Sequence, residues 1–294
     1  MITNKNSLKI GIVFGGGGAR GLGHVGAIKA FEEAGLKPDF ICGTSIGSLV
    51  GAVWAAGASA KLLEDQVMAM KSTDLLPHKI LPVPSSAKRI EDFVIKVLGE
   101  DLTFDELKIP FACVAVDINS AQEVTLKDGP VAKAVSASCA VPGYFVPVEI
   151  DGKNYVDGGL LNNIPSNVAL ENFCDYIIAI DINSARGYGS ETIKMFDVLA
   201  ATIRIMGIAS SLKGIAEANY VIKPDLKKYR MMKFQSRDEM IEAGYRAAQE
   251  AIPFIRADLA ALKTRDKQMK NRVREVKKAV KRDQQAYREG RKKV

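Results

Sequence analysis

Apolar positions along this chain fall into short continuous runs broken by glycines, with longer segments of helical spacing between them. Leu8–Phe14 is a brief Ile/Val-rich run ended by glycines, which predicts a buried strand. His24–Ala34 has helical spacing, is closed by Gly35 and is followed by Pro38. Phe40–Cys42 predicts a second strand, and Ser45–Ala56 a second helix that Gly57 ends. Strand, loop, helix, strand, turn, helix is the order of a parallel sheet with right-handed crossovers.

Further along, residues 59–100 read as helical on both sides of a Pro-rich interruption from Pro77 to Pro84. Phe111–Val116 and Glu123–Leu126 predict strands, and Pro130–Ser138 a short helix. Val146–Ile150 and Asn154–Val156 flank Asp151-Gly152, a strong hairpin signal. Tyr176–Ile182 predicts another buried strand. Thr192–Ala218 is a long apolar helix with a break expected near Gly207, and Arg237–Ala261 a helix that continues into the C-terminal tail.

One run is ambiguous. Phe40 to Ala60 carries no charge and is long enough to span a bilayer, with Gly43, Gly47 and Gly51 in GxxxG spacing. It also divides into a strand, a turn and a helix, and a buried strand–turn–helix is the better reading.

The 294 residues carry 41 Lys+Arg and 34 Asp+Glu, a net +7, but unevenly. Residues 256–294 hold 15 basic and 5 acidic side chains, so the body is close to neutral and the tail strongly basic. Within the tail, Leu262, Met269, Val273, Val276, Val280 and Tyr287 form a narrow stripe of 3.5-residue period. Such a helix suits an anionic membrane, a partner helix or a solvated surface. One aromatic in the tail supplies no stacking platform, which disfavours nucleic acid. Cys42, Cys113, Cys139 and Cys174 form no CxxC pair and read as reduced core thiols. The N-terminal residues lack a signal-peptide pattern, so a cytoplasmic protein is expected.

The chemistry starts at Gly43-Thr44-Ser45-Ile46-Gly47. As a bare pattern GxSxG is weak, but here it follows a predicted strand and opens a predicted helix, the context of a nucleophile elbow. A serine on so sharp a turn has a strained backbone, and Gly43 and Gly47 leave space that a Cβ would fill. A plain glycine-rich turn with an incidental serine is the rival reading.

A serine hydroxyl needs a base. The chain has two histidines, His24 and His78, and none lies after the second strand pair. An ordinary Ser–Asp–His triad, whose histidine follows a late acid, is therefore excluded. Asp–His–Ser fails because His78 follows Ser45, and His–Asp–Ser would compress His24, Asp39 and Ser45 into 22 residues. The best non-histidine candidate is Asp157, at the end of the predicted hairpin and followed by Gly158 and Gly159; a hairpin-end Asp that merely caps a turn is the alternative. To accept a proton Asp157 must be ionised. Accepted hydrogen bonds keep a carboxylate's pKa low and burial raises it. The expectation is activity rising from mildly acidic pH to a plateau, without an inflection near 6.5.

Residues 16–21, Gly-Gly-Gly-Ala-Arg-Gly, fit GxGxxG and raise dinucleotide binding. A Rossmann site wants an acid at the end of the second strand; Asp39 begins that strand, and the serine elbow occupies its end. No Gly-Lys-Ser/Thr follows, so a Walker A loop fails too. Glycine N–H groups beside the elbow suit an oxyanion hole instead.

With these three motifs in this order, the sequence resembles the patatin-like phospholipase family, over roughly residues 8–225. Connecting segments from Ala137 to Val148 and from Leu160 to Pro165 add to the likeness, which is nearest to small stand-alone bacterial members. The resemblance implies a three-layer α/β/α patatin-like fold around a central, mostly parallel sheet, with a C-terminal helical extension. It implies an acyl hydrolase domain at 1–235, and helices at 236–294 ending in the basic amphipathic tail. It implies a Ser–Asp dyad, with Ser45 as nucleophile and Asp157 as proton acceptor. The backbone of Gly16, Gly17 and Gly18 would form the oxyanion hole, with Arg20 bracing that loop. His24 is read as structural, under the glycine loop.

The expected substrates are phospholipids or lysophospholipids, and no cofactor or metal is required. Two segments could supply an acyl groove: the Pro-interrupted stretch 73–88, a lid candidate, and the 195–212 helix, whose Phe196, Leu199, Ile203, Met206 and Ile208 serve equally as core. Other classes remain open at this point: an esterase or thioesterase on soluble acyl compounds, or a membrane-associated binding protein with an incidental site. An anionic membrane reached through 263–294, peripheral on its inner face, is a candidate partner, and a homo-oligomer is left open.

Overall fold

The computed structural model describes residues 8–69, 84–183, 195–229 and 236–291. The N-terminal half alternates strand and helix: β1 (Ile10–Phe14), α1 (Leu22–Glu33), β2 (Phe40–Thr44), α2 (Ile46–Ala55), α3 (Ala60–Ala69) and α4 (Lys88–Leu98). After these come β3 (Phe111–Asp117), β4 (Gln122–Leu126), α5 (Val131–Ser138), β5 (Val148–Ile150), β6 (Lys153–Asp157), α6 (Ser166–Glu171) and β7 (Tyr176–Ile180). The chain ends with α7 (Met195–Glu217), β8 (Tyr220–Ile222) and α8 (Arg237–Arg291).

The strands form one sheet in the order β5-β6-β3-β2-β1-β7-β8, with β4 also on β3. From β3 to β8 all pairs are parallel, and β4, β5 and β6 add an antiparallel edge. The mostly parallel sheet is as expected. The short β8, next to a helix and only three residues long, was not legible in the hydrophobic pattern. β2 also runs two residues past Cys42, so Gly43 and Thr44 belong to the strand.

Burial on both faces explains why the central strands are continuous apolar runs. On one face Val13, Cys42, Val114 and Ile177 pack with Val168 and Ala169 of α6 and the end of α7. On the other, Phe14 meets the rings of His24 from α1 and Trp54 from α2, edge to face. That makes three layers. Every residue of α2 is buried, so the uncharged Phe40–Ala60 run is a core strand–turn–helix and not a bilayer span. All four cysteines are buried free thiols.

The β5–β6 hairpin turns through Asp151 and Gly152, both at positive φ (51° and 76°), the geometry of a two-residue type I′ turn. α7 is one continuous helix through Gly207, without the break expected there. Gly207 sits where the helix backbone passes close to Asn183 and Asn163, so its missing side chain serves contact instead of a kink. α1 and α8 cross at glycines: a Cβ on Gly26 or Gly244 would overlap backbone of the other helix. The chain divides into two compact units, one ending at Ile252 and one beginning at Pro253. The second is helical to Arg291, and its Met269 and Val273 are exposed. The side chains of residues 276, 280 and 287 lie outside the described residues, as does most of the 73–88 segment.

Candidate active site

Ser45 stands between the last residue of β2 and the first of α2, with φ 54° and ψ −131°. A non-glycine residue in that region carries strain of order 1–3 kcal/mol, which the surroundings must impose. The glycines around it show how. A Cβ on Gly43 would lie 2.5 Å from the Gly47 carbonyl oxygen, and a Cβ on Gly47 would overlap the Phe14 carbonyl. The turn is held from outside as well. The Ser45 N–H donates to the Ser138 hydroxyl at 3.0 Å, and that hydroxyl donates to the Val114 carbonyl at 2.7 Å. The Ser45 carbonyl accepts from the Ser48 hydroxyl at 2.6 Å.

Asp157 ends β6, whose antiparallel register sets it opposite Ala115 on β3. Its N–H donates to the Ala140 carbonyl at 3.0 Å, and its carboxylate accepts from the Gly159 N–H at 2.8 Å. The Ser45 side chain lines the same cavity wall and is near enough to the carboxylate to lower its pKa. Burial pushes the Asp157 carboxyl up to about 6, against the smaller lowering by Ser45 and the Gly159 N–H. Of the two opposing influences named from the sequence, desolvation outweighs the hydrogen bonds. The group changes charge near pH 6, close to the ordinary range of a histidine.

The glycine loop leaves β1 towards the same place. Gly15 donates its N–H to Ile180, and Gly16 to Asn163, each at 3.1 Å. The Gly16 N–H is thus already bonded to a backbone carbonyl. Gly17 and Gly18 line the cavity beside Ser45. Arg20 is buried and its Nε donates to the Tyr229 carbonyl at 2.9 Å, fastening the loop to a segment more than 200 residues away. His24 is wholly buried below the loop, with Nε2 and the Gly15 carbonyl 2.8 Å apart. Burial lowers its pKa to about 4, so the ring is neutral at physiological pH.

A cavity of about 100 Å³ opens at this point. Ser45, Asp157, Gly17 and Gly18 share its wall with Asn163 and Asn183, and Ala200, Ile203 and Gly207 of α7 close one side. Of the helix residues proposed for a groove, Ile203 lines the cavity. Leu199 instead reaches the loop at Gly143, and Met206 is partly exposed. The side chain of Phe196 lies outside the described residues. Three polar residues near the nucleophile were not singled out from the sequence, although Ser138 and Asn163 lie in the connecting segments that add to the family likeness. Ser138 holds the elbow. Asn163 donates through Nδ2 to the Ser211 hydroxyl (3.0 Å) and to the Gly16 carbonyl (3.3 Å). Asn183 is buried on the cavity wall. Their roles follow from chain segments meeting in space, and a motif cannot encode that.

The family model described as patatin-like phospholipase matches residues 12–170 of this chain. Patatin-like phospholipase domain-containing protein 6 of Mus musculus is 29% identical over 270 residues, covering 80% of this chain and 20% of the mouse protein. An uncharacterised NTE family protein of Mycobacterium tuberculosis is 29% identical over 280 residues, 83% of this chain and 46% of that one. The chain thus spans less than half the length of these relatives. Among solved structures, VipD from Legionella pneumophila superposes with a TM-score of 0.55 at 15% identity, over 83% of this chain and 66% of that chain. At that identity the likeness is one of fold.

Proposed function

Because this chain belongs to the patatin-like phospholipase family, we propose that it is a serine acyl hydrolase that cleaves lipid acyl esters through a Ser45–Asp157 dyad. The observation that carries the reading is a strained serine and a buried carboxylate sharing one cavity wall. The Ser45 hydroxyl attacks the ester carbonyl while its proton passes to Asp157. Negative charge on the carbonyl oxygen is met by backbone N–H groups of Gly17 and Gly18. One such donor is typically worth about 3–4 kcal/mol of barrier. The intermediate collapses, the leaving alcohol takes the proton from Asp157, and Ser45 keeps the acyl group. Water then attacks the acyl-enzyme, with Asp157 again taking and returning the proton.

Several features support this reading. Base and nucleophile line the same cavity. Its pKa of about 6 leaves it ionised at neutral pH and basic enough to accept a proton. His24 is neutral, buried and bonded to Gly15, which leaves it no part in the transfer. The three mainly apolar α7 residues on the cavity wall suit an acyl chain.

The test is a fluorophosphonate probe with a lipid panel. Wild type should be labelled and Ser45→Ala should not. A panel of phospholipids, lysophospholipids and acyl-CoA esters then identifies the substrate class. Turnover confined to acyl-CoA would move the protein to the thioesterases, and labelling that survives Ser45→Ala would remove Ser45 from the chemistry. The basic tail provides a second, electrostatic contact with anionic lipid in this reading. Each Lys or Arg near such a surface is worth about 1 kcal/mol, so vesicle binding that depends on residues 263–294 should weaken with salt.

A further inference from the structure

α7 has two faces of different character. Its inner face is small and close-packed: Ala200, Ile203 and Gly207 wall the cavity, and Gly214 packs on the backbone of Ile164. That face is also bonded to the body. The Ser210 hydroxyl donates to the Gly159 carbonyl at 2.8 Å, and Asn163 donates to Ser211. The outer face is apolar and open. Val198, Ile205 and Leu212, seven residues apart, are 47%, 62% and 65% exposed. Thr202, between the first two, folds its hydroxyl back onto the Val198 carbonyl at 2.9 Å.

From Val198 to Glu217 this is the one helix among the described residues long and apolar enough to cross a membrane, and only 17% of its most apolar window is buried. The bonds from Ser210 and Ser211 hold it on the protein, so it cannot cross. A core helix would show the opposite burial. Contiguous exposed apolar surface of this kind marks an interaction site.

We propose that this outer stripe docks the enzyme on a phospholipid bilayer surface, which brings lipid to the helix that walls the cavity. The inference rests on the acyl-hydrolase reading of the cavity. It is carried by continuity: one helix walls the nucleophile's cavity and presents the stripe. Exposed Leu161 follows the Gly158–Leu160 turn to which Ser210 is bonded, and exposed Val146 follows the loop that Leu199 touches. A soluble acyl substrate would use the cavity and leave the stripe wet. A second copy of the chain would cover the stripe and leave the cavity unused. A bilayer uses both. Charge does not oppose this: α7 carries Arg204 and Lys213, and its two acids, Asp197 and Glu217, stand at its ends.

The experiment uses the full-length chain carrying Ser45→Ala, so that binding is read without turnover, with vesicles of pure phosphatidylcholine, on which the basic tail has little purchase. The Ser45→Ala chain should float with the vesicles. Adding Ile205→Glu and Leu212→Glu should reduce the floated fraction about tenfold or more. Ile205→Ser with Leu212→Ser, a milder pair, should give a smaller loss in the same direction, and thermal melts check that all chains fold. No flotation of the parent, or equal flotation of the charged pair, overturns the proposal. So does sedimentation showing a dimer that the charged pair dissociates, without vesicle binding. Turnover of a soluble short-chain ester by wild type is read separately. Its absence beside stripe-dependent flotation would sink the hydrolase reading and leave the docking surface standing.

Discussion

Ser45 and Ser138 are joined by one hydrogen bond across 93 residues of chain: the backbone N–H of the elbow donates to a wholly buried hydroxyl. That hydroxyl donates its own hydrogen bond to the Val114 carbonyl on β3. The strained turn is thus bolted to the neighbouring strand through the last residue of α5.

Ser138→Ala removes the bolt and leaves the Ser45 N–H and the Val114 carbonyl without it. The expected loss of stability is about 1–3 kcal/mol, read by urea denaturation. With the elbow less constrained, kcat should fall about tenfold with KM little changed, because the residue lies behind the nucleophile and off the cavity wall. A loss confined to KM would show that Ser138 does not position Ser45.

Gly47→Ala should damage the enzyme far more than Gly35→Ala. The first sets a Cβ against the backbone of Phe14, which no rotamer change relieves; the second meets nothing within 4 Å and pays only for a φ of +65°. Overpacking of about 1–3 kcal/mol or more is expected at Gly47, with loss of fluorophosphonate labelling at Ser45, against about 1–2 kcal/mol and full labelling at Gly35. Equal melting temperatures for the two variants would contradict this.

Activity should rise with pH through a midpoint near 6, as Asp157 loses its proton, and then level off. Below the midpoint the rate should fall about tenfold per pH unit. This corrects the expectation of a profile with nothing in the histidine range. Temperature separates the two groups, since a carboxylate's pKa hardly moves on warming and an imidazole's falls. A midpoint that drops clearly between 15 and 35 °C would assign the titration to a histidine.

Asp157→Asn should abolish turnover and yet stabilise the fold at neutral pH. The folded pKa of about 6 lies above the ordinary 3.8, so the folded state prefers the protonated acid. Its contribution is full below pH 3.8 and is lost as pH rises through 6, up to about 3 kcal/mol at 1.36 kcal/mol per pH unit. His24 has the opposite sign. Its folded pKa of about 4 is below the ordinary 6.5, so its contribution is full above 6.5 and is lost as pH falls towards 4, again about 3 kcal/mol. In wild type the two offset each other between pH 4 and 6.5. Asp157→Asn should therefore unfold at higher urea than wild type at pH 7 and lose that advantage towards pH 4. A variant less stable than wild type at pH 7 would contradict the buried-charge account.

Much of the framework was legible because it is local. The Asp151-Gly152 turn, the close of α1 at Gly35 and the strand–turn–helix around Ser45 each depend on residues within a few positions of one another. The glycines at 43 and 47 face each other across one turn, so GxSxG already contains the steric condition for the elbow. Two histidines, both before Asp157, leave no histidine to follow that acid in a triad.

Position in the chain carries no such information about what packs where. The sequence could nominate Gly16 as a donor but could not tell that Asn163, 147 residues away, would take its N–H. It could mark Met195–Leu212 as apolar but could not decide between core and surface, because a buried and a lipid-facing helix have the same composition. It could propose Asp157 as a base but could not weigh accepted hydrogen bonds against burial in setting its pKa. That value depends on how much water the surrounding sheet, elbow and loop exclude, a density set only when distant segments meet. Steric demands act between neighbours in the chain; burial and desolvation act between neighbours in space, and only the tertiary structure decides those.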